Sequence, residues 1–335
     1  MNNNNIITTI SLGVPQKQNY GIIATVLLCK ILGIKLDIPS YLFINAISTY
    51  KDKVSLLPEF LSHLNDANAV PQHVIKDTES IKYTLSILAN LSNNGYILEK
   101  KVKKIKCDCG RIDAKEDAET RYNFIKNGKC IFCGGEVKNQ ESNGLVFQMP
   151  KNITLSYQMI PNRHSKNLQN LQNALSGREI LISKSRNTGL RYDEYNIDID
   201  FNNYLLMNSV PCDNHIILAS ANILQHMAMF NGISQVLYGN EKHNIFIMVS
   251  YLTGEPHIEK IKNVNNLQLF LLNSINKFDK VDFDNGFITM LNKPSKHTYV
   301  NQLIDWYYKP ESISIDQLES FYLRIFLNNN KQQFL

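Results

Sequence analysis

Four cysteines close together constrain the fold of this chain more than any other feature. Cys107 and Cys109 stand in Cys-Asp-Cys-Gly, and Cys130 and Cys133 in Cys-Ile-Phe-Cys-Gly-Gly. Two close thiol pairs separated by a loop predict a tetrahedral thiolate site for zinc. That site would be closed and structural, because four sulfurs leave no open position. Gly110 and Gly134, one after each pair, allow tight backbone turns that aim amides at sulfur. The first pair has one spacer residue, so its turn is expected to be tighter than a two-spacer knuckle. The competing reading is four unrelated buried cysteines, with only Cys29 and Cys212 outside the window. Disulfides are the weaker reading, since nothing marks the chain as secreted.

A chain of 335 residues can bury a large core and predicts two or three structural units. The net charge of +5 is mildly basic, which permits a nucleic-acid partner without arguing for one. Met1 to Asn5 is polar and has no charged flank before an apolar run, so no signal peptide is expected. No apolar run approaches the length of a membrane span. The expectation is a cytoplasmic protein without a membrane partner; the oligomeric state stays open.

Ile6 to Gly13 is β-branched and reads as a buried strand. Tyr20 to Leu32 is apolar, free of proline and closed by Gly33, which predicts a helix. Tyr41 to Ile47 reads as a second strand, and strand–helix–strand predicts a right-handed crossover onto a parallel sheet. Glu79 to Asn93 carries Ile81, Leu85, Leu88 and Leu91 near helical spacing. Five lysines between Lys100 and Lys106 precede the first cysteine, as a solvated face or a set of phosphate contacts. Leu145 to Met149 reads as a strand leaving the metal module, and Asn162 to Ser176 as a polar surface helix or linker. Ile180 to Ser183, His215 to Ala219 and Ile245 to Tyr251 read as further strands around a helix from Asn222 to Phe230. Asp316 to Leu327 reads as a terminal helix. The fold class is therefore α/β: a parallel sheet split by an inserted zinc-binding module, with a short helical C-terminal region. The expected boundaries are 1–100, 101–178, 179–270 and 271–335.

This order of elements resembles the catalytic core of class I aminoacyl-tRNA synthetases, the methionyl type most closely. The stretch Leu91-Ser92-Asn93-Asn94-Gly95-Tyr96-Ile97-Leu98, the basic strand and Cys-x-Cys-Gly are similar to the family's helix, Gly-Tyr-Ile strand and zinc knuckle. Ile180-Leu181-Ile182-Ser183-Lys184-Ser185-Arg186-Asn187-Thr188-Gly189 resembles its Ile-Ser-Arg segment, and His215-Ile216-Ile217 with Ile223-Leu224-Gln225-His226 the strand and helix that follow. The resemblance implies a Rossmann-like sheet, an amino acid or aminoacyl group as ligand, and ATP and tRNA as further ligands.

The family's two signatures are degenerate. At the place of His-x-Gly-His stand Asn19, Tyr20, Gly21 and Ile22, so only the glycine is kept. At the place of Lys-Met-Ser-Lys-Ser stand Pro256, His257, Ile258, Glu259 and Lys260, with one lysine and a repelling carboxylate. Lys293-Pro294-Ser295-Lys296 has better identity but lies late in the chain. The second strand ends in Ala46-Ile47-Ser48-Thr49-Tyr50, without the acidic residues of the methionyl type, and no full anticodon-reading domain fits after Lys296. The resemblance implies Asn19, Gly21 and Lys260 as catalytic residues, with Gly13 and Pro15 beside them in an ATP pocket. Losing phosphate-binding donors weakens ATP-dependent activation severely.

Three readings remain open. One is a working ligase; one is a protein that takes an already charged tRNA and moves its aminoacyl group; one is a regulatory binding protein without chemistry. The scattered histidines form no nucleophile–base pair. Cys29 reads as packed core, and Cys212 is the only candidate reactive thiol.

Overall fold

A computed structural model describes residues 4–10, 12–15, 17–47, 54–109, 112–114, 125–184, 189–220, 223–254, 256–261, 263–274, 280–283, 285, 287–291, 298–309 and 312–326. Several positions of interest fall outside the described residues: Gly110, Ser48 to Tyr50, Ser185 to Thr188, Asn222, Lys293 to Lys296 and Leu327.

The chain opens with strand β1 (Asn5–Thr9), resumes as β2 (Leu12–Gly13) and enters helix α1 (Tyr20–Leu36). Asn19 stops the strand conformation and caps the helix: its side-chain oxygen accepts from the Ile22 N–H at 3.1 Å. At the far end Asp37 takes a left-handed conformation, and the N–H of Ile38 closes onto the Gly33 carbonyl. Gly33 is needed for packing as well. A Cβ there would stand 2.9 Å from the Ser40 Cβ and 3.2 Å from the Ile7 side chain, so α1 approaches the sheet at this residue.

Strand β3 (Ser40–Asn45) follows, then α2 (Leu57–Asp66), β4 (His73–Lys76) and α3 (Asp77–Asn93). The chain then leaves the parallel sheet. Strands β5 (Ile97–Cys107) and β9 (Val137–Gln148) form a long antiparallel hairpin; β6 (Ile112–Ala114) pairs with β5, while β7 (Ile125–Lys126) and β8 (Lys129–Cys130) form a small hairpin at its tip. Strand β10 (Tyr157–Ile160) returns to the parallel sheet, followed by α4 (Ser165–Leu175). Strand β11 (Glu179–Leu181) pairs back onto β9; β12 (Ser183–Lys184), β13 (Arg191–Tyr192) and β14 (Tyr195–Ile197) make a small antiparallel sheet before α5 (Ile199–Met207).

The second half of the parallel sheet is β15 (Asn214–Ser220), α6 (Leu224–Tyr238) and β16 (His243–Val249). The C-terminal region holds β17 (Tyr251–Thr253), α7 (Val264–Ser274), β18 (Lys280–Asp282), α8 (Phe287–Leu291), α9 (Thr298–Tyr308) and α10 (Leu318–Phe326). It is not purely helical, because β18 pairs in parallel with β17.

The main sheet has seven strands, all paired in parallel. From β1 the chain winds outward through β3 to β4, and on the other side of β1 stand β15, β16 and β10. The fold is thus a Rossmann-like α/β sheet with flanking helices, and its direction of winding reverses between β1 and β15. The strands read as near-continuous apolar runs because helices cover both faces. The pairing departs from the expected insertion at 101–178 on both sides. Strand β10 lies inside that range yet forms the edge of the parallel sheet, and β11 lies beyond it yet belongs to the antiparallel one. Only Met159 and Ile160 of β10 are buried, too short an apolar run to mark a sheet strand from sequence.

The lysine run splits by role. Lys104 is buried and donates to the Asn143 carbonyl at 2.9 Å; burial, then the neighbouring Lys184, lowers its pKa. Lys100 pairs with Glu179, while Lys101, Lys103 and Lys106 are exposed.

Lys242 is the most unusual buried cation. Its ammonium donates to Asn208 Oδ1 at 2.9 Å and lies 4.8 Å over the Tyr238 ring and 5.3 Å over that of Phe230. Burial brings its pKa down to about 8, against a partial upward pull from Cys212. Because the folded pKa lies below the unfolded one, the unfolded chain binds the extra proton between those two values. Compared with Lys242→Met, the wild type should therefore gain stability as pH rises from about 8 toward 10, by about 1.4 kcal/mol per pH unit. Urea unfolding of both proteins across that range measures the difference. A difference that stays flat, or that falls, contradicts the buried-ammonium account.

Candidate functional site

The four predicted cysteines come together. Their sulfurs all lie within 4.8 Å of one another, with Cys107 Sγ 3.3 Å from Cys133 Sγ and Cys109 Sγ 3.8 Å from Cys130 Sγ. Zinc–sulfur bonds of ~2.3 Å in a tetrahedron require sulfurs roughly 3.8 Å apart, so the set fits one ion. Strand β5 delivers Cys107 at its last residue and β8 delivers Cys130, both buried, while Cys109 and Cys133 are exposed. The second pair turns tightly: Gly134 N–H donates to the Cys130 carbonyl at 2.8 Å, and Gly135 N–H points to Cys133 Sγ at 3.4 Å. Burial opposes ionisation of Cys130, but the N–H groups of Phe132 and Cys133 and two neighbouring thiols bring its pKa down to about 7. The apolar core around the cysteines is small. It comprises Ile105, Cys107 and Cys130, with Ile125 and Val137 against it. So little burial cannot hold this end of the module alone, and a bound ion would supply the missing free energy.

The second site is a cleft of about 260 Å³ at the carboxyl ends of β1, β15 and β16, where the winding reverses. Thr9 and Ile10 contribute from β1, Leu218 to Ser220 from β15, and Val249 and Ser250 from β16. Helix α1 adds Asn19, Gly21, Ile22 and Thr25 from its N-terminal turns. Asn19 and Gly21 thus both line this cleft. Gly21 admits close approach: a Cβ there would stand 3.3 Å from both Asn19 Oδ1 and Leu252 Cβ.

Other sequence-predicted residues lie apart from the cleft lining. Gly13 pairs with Asn45 on β3, because the strand breaks after Ile10 and continues along β3 away from β15. Pro15 follows it and does not line the cleft either. Lys260 sits in a 3₁₀ turn (Ile258–Lys260), where its ammonium donates to His257 Nδ1 at 2.9 Å. The backbone N–H of His257 donates to Asn285 Oδ1 at 2.8 Å, and Glu259 comes within 3.9 Å of the His257 imidazole.

Sequence reasoning missed two residues of the cleft. Thr9 is 1% exposed and Ser250 4%, and neither side-chain oxygen has a hydrogen-bond partner among the described residues. A buried hydroxyl left unpaired is costly, so the pair is poised for ligand or water. Their signal was position alone: each stands at or just past the carboxyl end of a strand beside the winding reversal. No ionisable side chain lines the cleft among the described residues. Asp77 was also missed. Its carboxylate, at the start of α3, accepts from the N–H groups of Ala46 and Ile47 at 2.9 and 3.0 Å, fixing the end of β3.

Burial disfavours the thiolate form of the two other cysteines. Cys29 is packed in the core, and burial raises the pKa of both its thiol and that of Cys212.

No protein-family model matches the chain, and no curated protein sequence does. Solved structures do match. The methionyl-tRNA synthetase of Mycobacterium tuberculosis bound by methionyl-adenylate superposes with a TM-score of 0.63 at 13% identity, over 89% of this chain and 70% of that one. A second complex with methionyl-adenylate gives 0.61 at 13%, again over 89% and 70%, and the free-state form gives 0.60 at 13%, over 88% and 66%. The chain shares its fold with these synthetases. At such identity the likeness speaks for the fold alone. No helix among the described residues is long and apolar enough to cross a membrane.

The cysteine geometry carries an expected outcome. Protein purified from zinc-supplied medium should contain about one equivalent of zinc, set by the single four-thiol site. Cys130→Ser should lose the metal and lower the thermal midpoint, while Cys212→Ser should change neither. Plasma emission spectrometry and thermal melts read both, and a metal-free wild type would contradict the assignment.

Proposed function

We propose that this chain is a divergent class I synthetase-like protein, of the methionyl type. It binds an aminoacyl group or the acceptor end of a tRNA at the cleft, with ATP-dependent activation weak or absent. The observation that carries this reading is the uncharged cleft. It lies where sheets of this kind bind ligands, yet no ionisable side chain lines it among the described residues. Polyphosphate at such a site needs cations or aimed donors to hold its charge. The one lysine of the second signature loop donates instead to the histidine of its own turn.

The groups that remain suit a neutral ligand. Asn19 spends its side-chain oxygen on the helix cap, which leaves its amide N–H groups as donors. Thr9 and Ser250 offer hydroxyls that can donate or accept, and Gly21 lets a flat group approach the backbone. Bound zinc would fix the tip of the β5–β9 module. The exposed Lys101, Lys103 and Lys106 on β5 would meet the phosphates of an acceptor stem. Two of the similar structures contain methionyl-adenylate, which makes methionine the first amino acid to test. A non-catalytic binding protein on the same scaffold is the second reading, favoured by the same absence of charge in the cleft.

Amino-acid-dependent pyrophosphate exchange, run with a panel that includes methionine, should be slow or absent. Lys260→Ala should leave it unchanged. Robust exchange that is abolished only by replacing Lys293 and Lys296 together would overturn the reading and mark an active ligase. Filter binding separates the remaining pair: charged tRNA held more tightly than uncharged supports the aminoacyl-group reading, and no preference supports the regulatory one. Thr9→Val with Ser250→Ala should weaken the charged-tRNA complex by about tenfold, as loss of two hydrogen bonds worth roughly 0.5–1.5 kcal/mol each implies.

A further inference from the structure

The C-terminal half of α1 lines a second cavity, of about 310 Å³, that shares no residue with the cleft. It is closed by Asn68 from the turn after α2, Gln268 from α7, and Tyr307, Tyr308 and Lys309 at the end of α9. Gly21 in the cleft and Ile31 in this cavity are about 15 Å apart along the helix axis, at ~1.5 Å rise per residue.

The chemistry of this cavity is the reverse of that in the cleft. Three of its lining residues, Lys30, Lys35 and Lys309, are lysines, and none of its described lining residues is acidic. Lys35 is only 5% exposed; its ammonium donates to the Lys309 carbonyl at 2.8 Å and lies 5.2 Å over the Trp306 ring. Lys30 donates to the backbone and side-chain oxygens of Asn68 at 2.8 and 2.9 Å. Burial lowers the pKa of Lys30. Three lysines around one hollow give it positive charge that an anion's head group would meet.

The walls supply a second, apolar requirement. Ile34 is 69% exposed and Tyr308 55%, two of the few large apolar side chains that stand in solvent. Tyr307 is held by its hydroxyl, which donates to Gln268, and its ring lies edge-on to Tyr308 with centroids 4.9 Å apart. A ring laid against these side chains would cover them while its charged group met the lysines.

We propose that this cavity is a binding site for a small amphipathic anion: a ring-sized apolar body carrying one carboxylate or phosphate. The inference does not depend on what occupies the cleft.

The chain carries one tryptophan, Trp306, directly beneath Lys35, and its fluorescence reports on the site. The full-length protein is titrated with phenyl phosphate, benzoate and the neutral benzamide at low ionic strength, with equilibrium dialysis alongside in case the emission is silent. The expected result is saturable binding of one anion per chain, with benzamide at least tenfold weaker. Whether phosphate or carboxylate binds more tightly identifies the preferred head group. Lys30→Met combined with Lys309→Met should weaken anion binding at least tenfold while leaving circular dichroism unchanged. If that variant does not fold, Ile34→Glu, at a solvent-facing position, places a repelling carboxylate at the rim and should have the same effect. Asn19→Ala, in the cleft, should leave binding unchanged. Benzamide binding as tightly as benzoate, no saturable binding by dialysis, or anion binding indifferent to the lysine and Ile34 variants would overturn the proposal.

Discussion

Parallel pairing of β1 with β15 is the constraint on which the rest of the molecule depends. Five residue pairs, from Asn5 with Asn214 to Thr9 with Leu218, join segments about two hundred positions apart. A parallel pair cannot be closed by a tight turn, so everything between must be accommodated elsewhere. The chain does this by winding β1 to β4 outward on one side and β15 to β16 outward on the other. The β5–β9 hairpin and its tip lie between those halves in sequence. The register of β1 on β15 sets the crevice at the carboxyl ends, and the insertion that bears the cysteines falls between the two paired segments.

The crevice and the hairpin tip are stabilised by different physics. Around the crevice the core is large and continuous, from Ile7 and Ile23 to Phe246 and Leu272, and it positions the ends of α1 and the strands rigidly. At the hairpin tip hardly any apolar surface is buried, and the four sulfurs form the centre of the structure. A module of that kind depends on its ion much as small metal-stapled domains do. Metal loss would therefore be expected to disturb the tip and leave the parallel sheet intact.

The fold is shared with methionyl-tRNA synthetases, while the charge on this chain lies away from the cleft. The described cleft lining is neutral, with two buried hydroxyls unpaired; the lysine expected there is held in its own turn. Cations gather instead along β5 and at the far half of α1. A fold reports where ligands bind, but the side chains at that place decide which ligands, and here the two diverge.

Much of the architecture was legible because it rests on local chemistry. The thiol spacing led to a site whose four sulfurs meet, and the apolar run from Tyr20 marked the start of α1; the helix continues past the expected stop at Gly33 to Leu36, because Gly33 is a packing contact inside it. β-branched runs located β1, β3, β15 and β16, since a strand covered on both faces must be apolar along its length. What stayed hidden depends on partners distant in the chain. Strand β10 has too few buried residues to announce itself, and it becomes a sheet strand only because β16 offers an edge. Lys104 reads as one more solvated lysine until the Asn143 carbonyl accepts its hydrogen bond inside the hairpin. Thr9 and Ser250 are ordinary residues in sequence; only the convergence of three strand ends brings their buried hydroxyls to one cleft. The sequence by itself determined the apolar strands β1, β3, β15 and β16, the helices α1 and α3 and where a metal can sit, because those follow from neighbours a few residues apart. The tertiary structure alone decided what the cleft contains, because that is set by which distant ends the parallel register brings together.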